Sequence, residues 1–246
     1  MVLAVIPARY GSTRFPGKPL ASLHGKPMIQ QVYEQVAKAK RVDEVVVATD
    51  DDRIIDAVER AGGTALLTSA TARSGTERAA EVARARNASV IINVQGDEPL
   101  IHPDMVDQLA EFLQRHPAVP MASLMTPLRN PADLTNPNVV KVVVDRDGFA
   151  LYFSRAPIPF ERQHASTSAR PHGWYKHIGI YGYQRHFLLQ FPSLPPTPLE
   201  QSEQLEQLRA LEHGYKVKLL ETVHDSIGVD TPEDLKRVET LLARVS

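Results

Sequence analysis

Apolar positions along the first half of this chain fall into two alternating patterns. Short unbroken runs occur at 2–7 (VLAVIP), 45–48 (VVVA), 65–67 (ALL) and 90–94 (VIINV). Runs of this length and composition are strands buried on both faces. Between them, residues 51–61, 75–86 and 103–116 space their apolar positions as amphipathic helices. The last opens with Pro103 in its first turn, where the missing N–H costs nothing. This β-α-β-α order predicts a parallel sheet covered by helices on both faces, a doubly wound α/β fold.

After Pro117 the pattern changes. Residues 121–126, 139–145 and 150–154 read as strands with no long helix between them, and Asp147–Gly148 is a hairpin turn signal. Residues 161–173 are polar and patternless, a mobile loop, and 177–183 is a strand that alternates with glycines. A proline-rich stretch at 191–198 leads into one long helix over 200–213, closed by Gly214. A strand at 216–220 and a helix at 232–244 finish the chain. The expectation is one unit spanning 1–246 with a β-rich insertion at about 121–185. The apolar strand residues there (Tyr152, Phe153, Ile178, Ile180, Tyr181 and Tyr183) exceed what a small hairpin covers by itself. A second copy of the same surface is the simplest cover, so a homodimer is expected.

Chemistry enters where the first strand ends. It runs straight into a loop carrying Arg9, Arg14 and Lys18 among Gly11, Ser12, Thr13 and Gly17. A buried strand ending in a basic, glycine-bearing loop is how an open α/β sheet builds a phosphate site at its carboxyl edge. The loop is not a Walker A motif: five residues separate Gly11 from Gly17, and Pro19 follows Lys18 where that motif needs a hydroxyl. It is not the dinucleotide fingerprint G-x-G-x-x-G either.

Whole-chain properties narrow this further. A net charge of −1 argues against a general nucleic-acid binder and makes the basic loop a local feature. The chain has no cysteine, which removes disulfides and thiolate metal sites and fits a reducing cytoplasm. No run approaches the roughly 18 apolar residues that span a membrane, and the first strand is too short to be a signal peptide.

Three acidic groups compete for a metal role. Asp97, in NVQGDEP, follows the strand at 90–94. It reads either as a Mg²⁺ ligand beside the phosphate loop or as a turn residue. Its neighbour Glu98 points elsewhere in extended geometry. Asp230, in GVDTPEDL, precedes a well-signalled helix start in which Thr231 is the N-cap and Pro232 the first helical residue. Those features leave Asp230 over, as a second Mg²⁺ candidate or as part of the cap. Asp50, Asp51 and Asp52 resemble the D-x-D of sugar transferases, but an N-cap with an acidic first turn explains them better. The histidines show no metal-ligand spacing on a helix, and no G-x-S-x-G elbow supports a hydrolase.

Several segments, in order from residue 2 to about 240, together resemble the 3-deoxy-D-manno-octulosonate (KDO) cytidylyltransferase family. They are IPARYGSTRFPGKPL, ATDDDRI, SGTERAAEV, NVQGDEPLI, NPNVVKVV, ALYFSRAPIP, HIGIYGY, LEQLRALEHG and GVDTPEDL. The N-terminal loop alone is shared with relatives such as CMP-sialate synthetases; YFSRAPIP with HIGIYGY and SGTER is more specific. The resemblance implies a three-layer, Rossmann-type nucleotidyltransferase fold, with the β-rich insertion serving dimerisation. It also implies transfer of CMP from CTP to KDO in the cytoplasm, with Mg²⁺. By that resemblance Ala8, Arg9, Lys18, Ser74, Gly75, Arg78 and Gln95 meet the nucleotide, and Arg9, Lys18, Asp97 and Asp230 carry the catalysis. Asp97 and Asp230 hold the metal. Gln95, Arg155, His177, Tyr181 and Glu203 meet the sugar, with Arg155 suited to its carboxylate. Read from the residues alone, His177 is a satisfied structural histidine, Arg155 an ion-pair partner and Tyr181 a packing residue. A cytidylyltransferase for sialate or an amino-KDO, a glycosyltransferase using Asp50–Asp52 and a nucleotide-sensing binding protein are the rival readings.

Overall fold

The computed structural model describes residues 1–11, 15–162 and 173–243. Ser12, Thr13 and Arg14 of the basic loop, and residues 163–172 of the polar stretch, lie outside the described residues. The N-terminal apolar run is β1 (Val2–Ala8), with all its residues buried. A small hairpin of β2 (Ser22–Leu23) and β3 (Lys26–Pro27) follows, then α1 (Met28–Val36), β4 (Glu44–Thr49), α2 (Asp52–Arg60), β5 (Ala65–Leu67), α3 (Gly75–Arg84), β6 (Val90–Asn93) and α4 (Pro103–Arg115). The second half forms β7 (Met121–Pro127), α5 (Pro131–Thr135), β8 (Lys141–Val144), β9 (Ala150–Ser154), β10 (Tyr175–Gln184), α6 (Arg185–Gln190), α7 (Pro198–Glu203), α8 (Gln207–Glu212), β11 (Val217–Glu221) and α9 (Pro232–Leu242).

The main sheet runs β11-β7-β10-β6-β1-β4-β5. β1 lies parallel between β4 and β6, and β11 lies parallel to β7. Only β10 on this path is antiparallel, to both β6 and β7. Alternate residues of β1 feed two cores. Val2, Ala4 and Ile6 pack with α1, α2 and α4 on one face; Leu3 and Val5 pack with α3, α6 and α8 on the other. This is the three-layer arrangement that the alternation predicts. A third, smaller cluster joins Leu23 and Met28 to Val229 and Val238, and so seats α9 against the β2–β3 hairpin.

Three expectations need correction. First, the stretch at 121–185 is not set apart from the sheet. β7 and β10 lie inside it, and only the β8–β9 hairpin, with Gly148 turning at φ 74°, hangs off β10. Strand patterning cannot tell an antiparallel strand buried in a central sheet from one in an insertion. Second, most of the apolar residues taken to need a partner are covered by the chain's own cores: Phe153, Ile178, Ile180 and Tyr183 are all buried. Third, the long helix over 200–213 is two short helices, α7 and α8, separated at Gln204, which adopts the left-handed conformation (φ 53°). The helical periodicity is real, but backbone carbonyls at the break are taken by a side chain from another segment. Arg155 Nε donates to the Glu203 carbonyl at 2.7 Å and Arg155 Nη2 to that of Gln204 at 3.2 Å. α1, to which the pattern above assigns no element, buries Met28, Ile29, Val32 and Val36 on one face.

The break at Gln204 yields a stability prediction. A left-handed conformation costs a β-branched residue more than an unbranched one, and costs glycine almost nothing. Gln204→Val should lower the unfolding free energy by about 1–2 kcal/mol in urea titrations, and Gln204→Gly should hold it near wild type. Equal losses in both variants would place the cost in the lost Gln204 side chain, not in the backbone.

Candidate active site

The chain leaves β1 toward β4 on one side and returns on the other as β6. In open α/β sheets the crevice beyond such a switch point, at the carboxyl ends of the strands, is where ligands bind. Here it is built from the loops after β1 and β6. The loop after β1 folds back on itself: Gly17 takes a left-handed turn (φ 71°) and its N–H donates to the Tyr10 carbonyl at 3.1 Å. This directs Lys18 toward the end of β6. There Gly96 crosses the end of β1 so closely that a Cβ would lie 2.7 Å from the Pro7 carbonyl oxygen. Only glycine fits, and Asp97 follows.

Lys18 Nζ donates to Asp97 Oδ2 at 2.7 Å and lies 3.3 Å from Asp230 Oδ1. Asp230 is delivered by the α9 cap. Thr231 and Asp234 form a reciprocal capping box, and Asp234 also accepts from the Asp230 N–H at 3.1 Å. The two acidic loops are joined directly, since the Val229 N–H donates to the Asp97 carbonyl at 2.9 Å. Two carboxylates therefore converge on one cation. Their hard oxygen donors are the chemistry that Mg²⁺ selects, so this pair fits a magnesium ion.

Around them opens a cleft of about 340 Å³. It brings together Ala8, Arg9, Lys18, Ser74, Gly75, Arg78, Gln95, Asp97 and Asp230, the whole set of nucleotide and metal candidates. The first turn of α3 contributes Ser74 and Gly75, and helix N-termini favour anions. Arg78 is a buried strut as well as a wall: it donates to Asp50 Oδ2 at 2.6 Å and Thr68 Oγ1 at 2.7 Å. The acidic run at 50–52 is thus structural, as the cap reading has it, with Asp51 capping α2 and Asp52 in its first turn.

Arg155, His177, Tyr181 and Glu203 do not line this cleft. His177 is buried, and its Nε2 meets the Ser123 hydroxyl at 2.8 Å. That hydroxyl donates to the Ile180 carbonyl at 2.7 Å, which makes Nε2 the donor. Burial drives the His177 pKa down to about 3, so the ring is neutral. Tyr181 sits beside it, ring centroids 5.4 Å apart, and burial raises its pKa. Glu203 accepts from Ser154 Oγ at 2.6 Å and the Arg155 N–H at 2.8 Å. The Arg155 guanidinium, expected to grip a carboxylate, instead donates to three backbone carbonyls: Pro137 at 2.9 Å, Glu203 and Gln204. A local strand pattern gives no sign of carbonyls arriving from two distant segments.

Arg73 and Ser74 line both this cleft and a neighbouring one of about 500 Å³, whose far wall is Gln204, Leu205 and Glu206. Thr76 on α3 reaches that wall, donating to Glu206 Oε2 at 2.5 Å. Glu98 turns away from the cleft, as expected, and accepts from the Ser226 hydroxyl; burial raises its pKa to about 7.

The cytidylyltransferase family matches this chain over residues 3–220. The chain belongs to that family. Its sequence is 55% identical, over 98% of both chains, to a 3-deoxy-manno-octulosonate cytidylyltransferase of Syntrophotalea carbinolica. It is 53% identical to the protein of that name from Geobacter sulfurreducens, over 96% of this chain and 97% of the relative. A structure of CMP:2-keto-3-deoxy-manno-octonic acid synthetase complexed with CTP superposes with a TM-score of 0.93 at 44% identity, covering 100% of this chain and 99% of the other. A 4-diphosphocytidyl-2C-methyl-D-erythritol synthase from Anaerococcus prevotii, 16% identical, shares the fold with a TM-score of 0.65, over 99% of this chain and 96% of its own. The cytidylyltransferase is a mixed α/β, nucleotidyltransferase-like protein with a mostly parallel central sheet. Among its described residues no helix is long and apolar enough to cross a membrane.

The neutral His177 sets a pH dependence. In the unfolded chain its pKa returns to 6.5, so below that pH the unfolded state binds a proton that the folded state refuses. The stability due to the neutral ring is complete above pH 6.5 and is lost as pH falls toward 3. His177→Gln keeps a donor for Ser123 and removes this titration. The advantage of wild type over the variant should therefore shrink as denaturant titrations move from pH 7 to pH 5. An advantage constant across that interval would contradict a neutral, buried ring.

Proposed function

We propose that this cytidylyltransferase transfers CMP from CTP to the anomeric hydroxyl of KDO, giving CMP-KDO and pyrophosphate. The observation that carries this is the cleft. It gathers four cations, a helix N-terminus and two carboxylates at the sheet's switch point, in a chain 44% identical over its whole length to a synthetase solved with CTP. Arg9, exposed at the rim, and Lys18 take the triphosphate. Ser74, Gly75 and Arg78 form the cytosine side, with Ala8 and Gln95 closing it. A magnesium ion held by Asp97 and Asp230 would supply Lewis-acid stabilisation of charge on the phosphates. Lys18, bonded to both acids here, would also reach the phosphate oxygens. The reaction is an in-line displacement: the sugar hydroxyl oxygen bonds to the α-phosphorus, the bond to pyrophosphate breaks, and the hydroxyl proton is lost. The cations offset charge that grows on the departing pyrophosphate.

KDO enters beside the nucleotide, past Gln95 and the shared wall of Arg73 and Ser74. Tyr181 and His177 back this region from β10, and Glu203 with Arg155 shapes its far side. We place the reaction in the cytoplasm, where both substrates are soluble metabolites, with no nucleic acid or membrane partner. We also propose a homodimer, supported by Leu151 and Phe160, which are 62% and 88% exposed on and just after β9. Light scattering at micromolar concentration should then give about twice the 27.3 kDa chain mass, and Leu151→Glu with Phe160→Glu should return it to one chain.

Pyrophosphate release tests the reaction. It should require CTP over UTP, ATP and GTP, because a pocket built around one base's hydrogen bonds leaves polar groups unpaired with another. KDO should be used in preference to sialate or an amino-KDO. Asp97→Asn and Asp230→Asn should each cut turnover about a hundredfold or more with the fold retained. Turnover near wild type in either variant at ordinary Mg²⁺ would overturn the metal assignment.

A further inference from the structure

Lys141 is the most deeply buried cation of the described chain, with no solvent exposure. An ammonium has three protons to donate, and here each finds a backbone carbonyl: Asn136 at 2.9 Å, Val139 at 2.6 Å and Arg155 at 2.6 Å. The residue whose carbonyl it holds, Arg155, spends its own guanidinium on the carbonyls of Pro137, Glu203 and Gln204. Glu203 closes the circuit by accepting from the Arg155 N–H and from Ser154. Two cations thus tie together three chain segments: the turn at 136–139, the end of β9, and the corner where α7 breaks from α8.

That corner bears on the second substrate. Gln204, Leu205 and Glu206 wall the larger cleft, which continues from the nucleotide cleft through Arg73 and Ser74. Gln204 sits there in a left-handed conformation that an L-residue adopts only when its surroundings hold it. Burying an ammonium without a bonded carboxylate is expensive, and an apolar side chain of similar length would pack at position 141 without that cost. What lysine supplies and methionine cannot is a fixed position for three carbonyls. We propose that Lys141 is a positioning residue: through the Arg155 guanidinium it sets the Glu203–Gln204 corner, and so the fit of the sugar-acid substrate beside the nucleotide. This rests on the functional reading above for what enters the larger cleft. Neither Lys141 nor Arg155 lines the nucleotide cleft, so CTP binding is independent of the circuit.

The experiment uses Lys141→Met, with Arg155→Lys as a second variant that keeps its charge but cannot span three carbonyls. Three quantities are read: the KM for KDO, the affinity for CTP by calorimetry without sugar, and amide hydrogen exchange in peptides covering 200–206. In either variant the KM for KDO should rise tenfold to a hundredfold, CTP affinity should stay within about twofold, and exchange at the corner should accelerate. A variant whose CTP affinity falls as far as its sugar KM rises, or whose corner exchanges at the wild-type rate, overturns the proposal. If Lys141→Met does not fold, Arg155→Lys decides by the same three readings. A wild-type chain inactive on CTP and KDO defeats the functional reading, and exchange at the corner still decides whether Lys141 holds it.

Discussion

Two carboxylates meeting one ammonium is the constraint around which the cytidylyltransferase site is arranged. Lys18 lies 79 residues from Asp97 and 212 from Asp230 in sequence, yet it contacts both. Such a triad forms only if three loops end at the same point. The switch between β1 and β6 brings the first two there, and the small cluster seating α9 on the β2–β3 hairpin brings the third. Each delivery uses a local device with little freedom: the left-handed turn at Gly17, the crossing at Gly96 that admits no Cβ, and the capping box around Thr231. Two like charges placed side by side repel, so the arrangement stands because the Lys18 ammonium sits between them.

The two halves of the site are built on different physics. The cleft proposed for the nucleotide hangs on parallel strand ends and the first turn of α3, where the backbone frame places the side chains. The half proposed for the sugar has no such frame. Its far wall is a break between two short helices, and it is held by side chains reaching across from β8 and β9. Thr76 and Glu206 form a direct strut between the halves, spanning α3 and that wall. A site with one rigid half and one held by side chains can change its second substrate without disturbing its first, since altering the circuit of Lys141, Arg155 and Glu203 leaves the strand ends untouched.

This difference also explains what could be read from the sequence. The doubly wound order, the helix cap just after Asp230 and the structural role of Asp51 all depend on neighbours within a few residues, and each was legible. The antiparallel placement of β10, the break at Gln204 and the use of Arg155 depend on partners from distant segments. The apolar and helical patterns at 177–183 and 200–213 were real in both cases. What they could not show was that β10 pairs with β6 and β7, or that a guanidinium from the end of β9 claims the carbonyls of Glu203 and Gln204. Arg155 was singled out by the resemblance to the family; its bonds to the carbonyls of Pro137, Glu203 and Gln204 were not legible, because those carbonyls come from distant segments.

Beneath the cleft floor, burial acts on two titratable groups in opposite senses. His177 is held neutral by a pKa lowered to about 3, which removes stability as pH falls below 6.5. Glu98, raised to about 7 from 4.5, lets the folded state take up a proton that the unfolded state releases. Its contribution is present below pH 4.5 and is lost as pH rises to 7, so it offsets His177 across the interval they share. The two groups lie on either side of the β10 bulge between Ile178 and Tyr181, with Gly179 facing Glu98 and the Ile180 carbonyl bonded to Ser123. The bulge thus admits a carboxyl on one side and satisfies an imidazole on the other.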